Sequence, residues 1–326
     1  APSGDFRAVA DLREDRLAAA REAYGVDTHD DAGAMFARDD LDGVMVVTRA
    51  DAHAPVSISA MEAGLDVLCE KPIAESVADA REMVAAAKRT GRTGAVHFQH
   101  RFRPQHWTLS GLADELDPVQ ALMTYQRGIF RERYLRPGYA YGVLDGVIHL
   151  IDRANWMLGL TPTAVSASMQ YGAYSPNEAV DAATIQIRYT GGEAVTIQSS
   201  MGGSGIENVC HLVGENGNAR ETGENEVTVT NVDFSYDYGE AGDRQQVTER
   251  TMEMDTPEGY TPDAENPEGV ALKEAFVASA RGEADTGTAT FADGHDALLV
   301  AKAAVEADQK GEVVHLADLR EETASV

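Results

Sequence analysis

Positive charge is what this chain has least of. Its 326 residues carry 27 Lys and Arg against 54 Asp and Glu, a formal net charge of −27, and only five of the 27 cations are lysine. Polyphosphate backbones are bound by basic stripes, so nucleic acid is excluded as a main partner. Cysteine is nearly absent: Cys69 and Cys210 cannot build a disulfide framework or a cysteine-based metal site. No apolar run reaches 18 residues, so no membrane span is expected, and the first residues lack the basic and then apolar pattern of a secretory leader. Lysine-poor acidity is the surface expected of a salt-adapted cytoplasmic protein, in which high ionic strength screens self-repulsion. An ordinary acidic mesophilic surface is the alternative.

Apolar material is ample. Hydrophobic residues make up 43% of the chain, enough for about two domain cores and too much for an acidic disordered polymer. The first hundred residues predict strands at 6–10, 44–47, 66–69 and 93–98. Helices at about 15–24, 55–63 and 76–90 alternate with them, followed by Gly25, Gly64 and Gly91. Strands alternating with crossover helices form parallel βαβ units. After an irregular stretch, a helix at 143–158 precedes strands at 164–170, 182–189, 194–200, 209–213 and 227–232. Turns such as Thr190-Gly191-Gly192-Glu193 between neighbours are the pattern of an antiparallel sheet. Residues 233–267 read as long loops with one edge strand at most, and helices at 269–281 and 293–310 close the chain. The expected division is an α/β domain over 1–104 and an α+β domain with an open, largely antiparallel sheet over 105–326. The closing helices can pack back on the first domain.

Three groups of residues carry chemistry. On the 143–158 helix Asp145, His149 and Asp152 stand at i, i+4 and i+7, one polar stripe on an otherwise apolar helix. Such a stripe lets Asp145 orient His149 or clamp a substrate hydroxyl, while His149 exchanges a proton near neutral pH. A satisfied core histidine is the competing reading. One His with two carboxylates at this spacing is no recognised metal set. The second group is Glu70-Lys71-Pro72, directly after the carboxyl end of a parallel strand, where open α/β sheets bind ligands. A solvated Glu70–Lys71 pair is the plainer alternative. The third is Asp11, which ends a strand where a dinucleotide fold holds the adenosine ribose; Arg13 and Arg16 nearby suit a 2′-phosphate, so NAD and NADP both stay open. Residues 125–141 gather Arg127, Arg131, Arg133 and Arg136 with Tyr134, Tyr139 and Tyr141, either a patch for a substrate anion or a salt-bridged loop.

Together these residues resemble the Gfo/Idh/MocA family of NAD(P)-dependent oxidoreductases. The likeness rests on Glu70-Lys71-Pro72, His53, Arg101-Phe102-Arg103-Pro104, the Asp145/His149/Asp152 helix and Gly214-Glu215-Asn216-Gly217, and it spans nearly the whole chain. It implies a Rossmann domain, a substrate and oligomerisation domain, and hydride transfer between NAD or NADP and a hydroxyl carbon of a sugar, sugar acid or cyclitol. Lys71 and His149 would be catalytic with Asp145 as partner, and Asp11, Arg13, Thr48, His53, Glu70, Lys71 and Arg101 would serve the cofactor. Lys71, Asp145, His149, Arg127 and Tyr141 would meet the substrate, with no metal, in a cytoplasmic homo-dimer or homo-tetramer. A non-catalytic sugar or dinucleotide sensor of the same fold is the alternative. Two features depart from the family pattern. Thr48-Arg49-Ala50-Asp51-Ala52-His53 replaces a loop that usually holds Pro and Asn. No G-x-G-x-x-G turn occurs in the sequence, so the first strand and glycine-rich turn of the Rossmann unit are expected to be missing from it.

Overall fold

A computed structural model describes residues 4–127, 144–172, 180–202, 206–223, 226–233 and 246–322. The chain divides into two compact units, one of residues 1–99 and 258–298, the other of 100–257 and 299–326.

The first unit runs β1 (Ala8–Ala10), α1 (Glu14–Tyr24), β2 (Asp27–His29), α2 (Ala32–Phe36), β3 (Gly43–Val46), α3 (Ala50–Glu62), β4 (Asp66–Cys69), α4 (Val77–Thr90) and β5 (Gly94–Val96). β1 pairs in parallel with β2, and β3-β4-β5 form a second parallel set. A doubly wound dinucleotide sheet has the order 3-2-1-4-5-6. The two sets correspond to its 3-2 and 4-5-6 runs.

Local sequence explains the helix ends. Ser76 caps α4 by accepting the Asp79 N–H at 3.0 Å, and α1 and α4 stop at Gly25 and Gly91, whose φ of 66° and 67° only glycine adopts readily. α3 starts five residues before the expected position. Pro55, which suits a first helical position, lies inside it instead. β2 and α2 escape sequence reading because they are short and half exposed. Val67 and Cys69 of β4 have no exposed surface, as a strand covered on both faces requires.

Two C-terminal helices, α8 (Pro267–Ala280) and α9 (Phe291–Lys310), follow, and residues 258–298 join the first unit. The Val96 N–H donates to the Ala289 carbonyl at 2.8 Å. Gly94 lies so close to Phe291 and Met61 that a Cβ there would stand 2.5 Å from the phenyl ring.

The second unit starts within a 3-10 turn (Gln99–Phe102) and continues with α5 (Pro104–Gly111), α6 (Ala113–Leu116), β6 (Pro118–Arg127) and α7 (Leu144–Leu158). The strands β7 (Pro162–Tyr171), β8 (Val180–Tyr189), β9 (Ala194–Ser200), β10 (Ile206–Gly214), β11 (Gly217–Gly223), β12 (Glu226–Asp233) and β13 (Gln246–Thr251) follow, and after α9 come β14 (Val314–His315) and α10 (Leu316–Glu322). Among the described residues nine strands form one open sheet, β13-β12-β11-β10-β6-β9-β8-β7-β14, in which only β6 and β9 pair in parallel. The sheet is therefore mixed but mostly antiparallel, and β13 is the edge strand anticipated within 233–267.

β6 occupies the stretch read as irregular. Its inward residues Ala121, Met123 and Tyr125 are buried while Gln120, Leu122 and Gln126 face outward. α7 lays Val147, Ile148, Leu150, Ile151, Ala154 and Met157 in the core. Gly146 permits a close approach of α7 to β6, because a Cβ there would stand 2.4 Å from the Tyr125 ring.

Candidate functional site

In the first unit, the carboxyl ends of the parallel strands collect the polar residues. Asp11 follows β1; its Oδ1 accepts the Arg13 N–H at 2.9 Å and its Oδ2 the Arg16 guanidinium at 3.1 Å. The Arg13 backbone hydrogen bond, with Arg16 beside it, holds the Asp11 carboxyl below its ordinary value, so it stays ionised. The Arg13 guanidinium is turned to Asp15, donating from Nε at 3.0 Å and from Nη2.

After β3, Thr48 is exposed, and its carbonyl lies 3.1 Å from His53 Nε2 while His53 Nδ1 lies 2.8 Å from the Pro72 carbonyl. His53 is buried. Both ring nitrogens face main-chain oxygens, so His53 ties the β3–α3 loop to the Glu-Lys-Pro turn.

At the end of β4, the Glu70 N–H donates to the Val46 carbonyl at 2.9 Å and Glu70 Oε2 accepts the Lys71 N–H at 3.2 Å. Lys71 is half-buried and precedes a cis proline. Glu70 Oε1 also stands 3.3 Å from His97 Nδ1, off the line of a hydrogen bond. His97, just past β5, is buried; burial lowers its basicity, against the pull of Glu70. Its position one residue beyond a strand end is the signal that sequence reading passed over.

These residues fit a nicotinamide dinucleotide. An ionised carboxylate follows β1, the position that takes ribose hydroxyls, and Lys71 follows β4 at the ligand edge of a parallel sheet.

In the second unit the polar stripe of α7 is present as spaced, with Asp145 half-buried and His149 and Asp152 buried. Arg101 is 4% exposed. Its Nε donates to Asp152 Oδ2 at 2.9 Å and its Nη2 to Oδ1 at 2.5 Å, and its guanidinium carbon lies 5.5 Å from the centre of the Trp156 ring. A fork-to-fork pair of this kind is a structural bond, so Arg101 has a role in holding α7 whatever its part toward the cofactor.

His149 stacks on His100, the ring centres 4.1 Å apart and the planes within 20°. His106 Nδ1 donates to the His100 carbonyl at 2.6 Å, which fixes its tautomer, and its Nε2 accepts from Arg153. Burial, then Arg153, pulls His106 down to about 4, so the ring is neutral. Burial alone would raise the Glu221 carboxyl, whose Oε1 stands 2.9 Å from His106 Nε2; the attraction of its cationic surroundings, Arg153 among them, outweighs burial and keeps the carboxyl below its usual value. Sequence reading gave no sign of this network, whose members come from α5, α7 and β11. Arg127 ends β6, and Tyr141 with the arginines and tyrosines of 128–143 lies outside the described residues. Among the described residues no group of three His, Cys, Asp or Glu is placed to hold a metal ion, and no helix is long and apolar enough to cross a membrane.

Residues 1–98 match the oxidoreductase family model described as an NAD-binding Rossmann fold, and residues 134–316 match the C-terminal alpha/beta domain of the same family. The chain belongs to the Gfo/Idh/MocA oxidoreductase family. An inositol 2-dehydrogenase of Streptomyces avermitilis is 29% identical over 311 residues, 94% of this chain and 84% of that protein. A D-apiose dehydrogenase of Paraburkholderia graminis is 30% identical over 203 residues, 59% of this chain and 53% of that protein. The chain thus matches about half the length of the second relative. Among solved structures, a levoglucosan dehydrogenase complexed with NADH and levoglucosan superposes with a TM-score of 0.78 at 20% identity, covering 95% of this chain and 90% of its own. An Agrobacterium radiobacter oxidoreductase complexed with NAD+, L-tartaric acid and magnesium gives 0.80 at 19%, covering 96% and 91%. These likenesses carry the fold of a family member: a parallel nucleotide-binding unit followed by a mixed open-sheet unit.

Proposed function

We propose that this family member is an NAD(P)-dependent dehydrogenase acting on a secondary hydroxyl of a sugar, sugar acid or cyclitol. The observation that carries the reading is the polar stripe on α7, in which half-buried Asp145 stands one helical turn from buried His149. The names of the sugar and inositol dehydrogenases among its relatives support the substrate class. When bound, the nicotinamide supplies the hydride acceptor. His149 takes the hydroxyl proton as the hydride leaves carbon, and a carbonyl forms. Lys71 supplies a cationic donor at the ligand edge of the first unit, suited to stabilising charge that develops on an oxygen, and Asp145 orients the hydroxyl or the imidazole.

Asp11 holds the adenosine ribose. Its ionised carboxylate repels a 2′-phosphate, and Arg13 is engaged by Asp15, so NAD(H) is preferred. Titration by nicotinamide fluorescence is expected to give at least a tenfold lower Kd for NADH than for NADPH, about 1.4 kcal/mol, with the gap narrowed in Asp11→Asn. Equal affinities in the unaltered protein would remove Asp11 from this role.

A cytoplasmic, salt-rich setting fits the lysine-poor acidity and two buried free cysteines. The homo-dimer or homo-tetramer implied by the family resemblance would form through the outer sheet face, which carries a groove of about 320 Å³ lined by Gln126, Ser168, Gln170, Thr184, Gln198 and Ser200.

The function is tested by screening sugars, sugar acids and cyclitols for reduction of NAD+ and NADP+ in high salt. Turnover with a member of the panel supports the reading. Tight cofactor binding with no turnover on the whole panel would assign the chain to sensing.

A further inference from the structure

We propose that His100 is a positioning residue for His149: it stacks flat on that imidazole and fixes the plane in which His149 presents its nitrogens to the substrate. The inference rests on His149 being the acid/base of the proposed reaction.

The stack has a centre-to-centre distance of 4.1 Å and a tilt of 20°. Both rings are buried, His100 at 7% and His149 at 4% exposure, so van der Waals contact and not solvent decides the orientation of each. His100 itself is held by its backbone. Its carbonyl accepts His106 Nδ1–H at 2.6 Å, and the same 3-10 turn continues into Arg101, whose guanidinium grips Asp152. Asp152 lies three residues beyond His149 on α7. Two consecutive residues of one turn therefore engage α7 about one helical turn apart, and that double engagement fixes the height and rotation of α7 against the turn.

The partner ring is suited to the task. Burial first, and then the neighbouring His149, Arg103, His106 and Arg153, keep His100 uncharged. A neutral ring beneath His149 lets it accept a proton without a second imidazolium at van der Waals distance, and its π face is attractive to the cation that forms. Around this stack, α7 contributes Asp152 and Arg153, the turn contributes Arg101, Arg103 follows at the start of α5, and α5, β6 and β11 contribute His106, Tyr125 and Glu221.

The test separates a flat ring from mere filling. His100→Leu fills the space without a planar face, and His100→Phe restores the face without a nitrogen. The expected result is a kcat at least tenfold lower in His100→Leu, with KM for the cofactor unchanged, and recovery of most of it in His100→Phe. In parallel, histidine side-chain NMR should show the His149 ring protons losing their stacking shift in the leucine variant and keeping it in the phenylalanine variant. Equal kcat and unchanged His149 resonances in His100→Leu would overturn the proposal. If His149→Ala keeps normal turnover, it is the functional reading that fails; if His149→Ala is inactive while His100→Leu is normal, only the positioning role falls. Should the leucine variant not fold, His100→Phe alone decides: loss of kcat with the His149 stacking shift intact would show that the flat face is not what the turn supplies.

Discussion

Replacing His149 by alanine is expected to lower turnover about 10²- to 10⁴-fold, the range contributed by a positioned acid/base, while the protein keeps its thermal transition within a few degrees. Added imidazole should restore part of the rate by entering the space left behind. Lys71→Ala should cost a comparable factor, about 10²- to 10³-fold, through lost stabilisation of the developing alkoxide, but with no response to imidazole. The contrast assigns the roles: a proton acceptor is replaceable by a diffusing base, whereas a fixed ammonium is not. Near-normal turnover in both variants would refute the mechanism, and a large drop in melting temperature for His149→Ala would show that the His100 stack is a packing element.

Sequence periodicity revealed most of the architecture because the signals were local. Val44, Val67 and the Ser76 cap lie where β-branched runs and a helix start are expected, and β9 and β4 have the expected bounds, Ala194–Ser200 and Asp66–Cys69. β6 was passed over although Ala121, Met123 and Tyr125 alternate with Gln120, Leu122 and Gln126; three inward residues in a ten-residue strand amid polar neighbours do not look apolar. β2 is three residues of Asp, Thr and His, and its strand character comes only from pairing with β1. β11 carries glycine at both ends and Arg220 and Glu221 within.

The site divides along the same line. Asp145, His149 and Asp152 were legible because helical spacing puts them on one face, and Lys71 because it ends a parallel strand. His100, His106, Arg153 and Glu221 were not, because a buried polar residue looks like a surface one until a distant element supplies its partner. Glu221 reaches His106 from 115 positions away. Arg101 shows what a motif leaves out: the family resemblance implied a cofactor contact and gave no sign of the pair with Asp152 on α7.

That pair yields the largest stability effect expected. Arg101 and Asp152 are 4% and 1% exposed, so removing either partner leaves the other charge buried. Arg101→Ala should destabilise the second unit by about 3–5 kcal/mol, and its melting temperature should fall by about 6–20 °C. A Coulomb gain offset by burial predicts a different result when both charges go. Arg101→Met with Asp152→Val places apolar groups in both positions and a thioether near Trp156, and this double variant should lie within about 1 kcal/mol of the unaltered protein or above it. Chemical denaturation followed by tryptophan fluorescence reads both variants, since Trp156 lies against Arg101. The double variant also decides what Arg101 is for. If it folds and binds NADH as the unaltered protein does, the arginine serves the α7 contact; if it folds but loses the cofactor, Arg101 does reach the dinucleotide. If instead Arg101→Ala is no less stable than the unaltered chain, the pair is exchanging with solvent and does not hold α7.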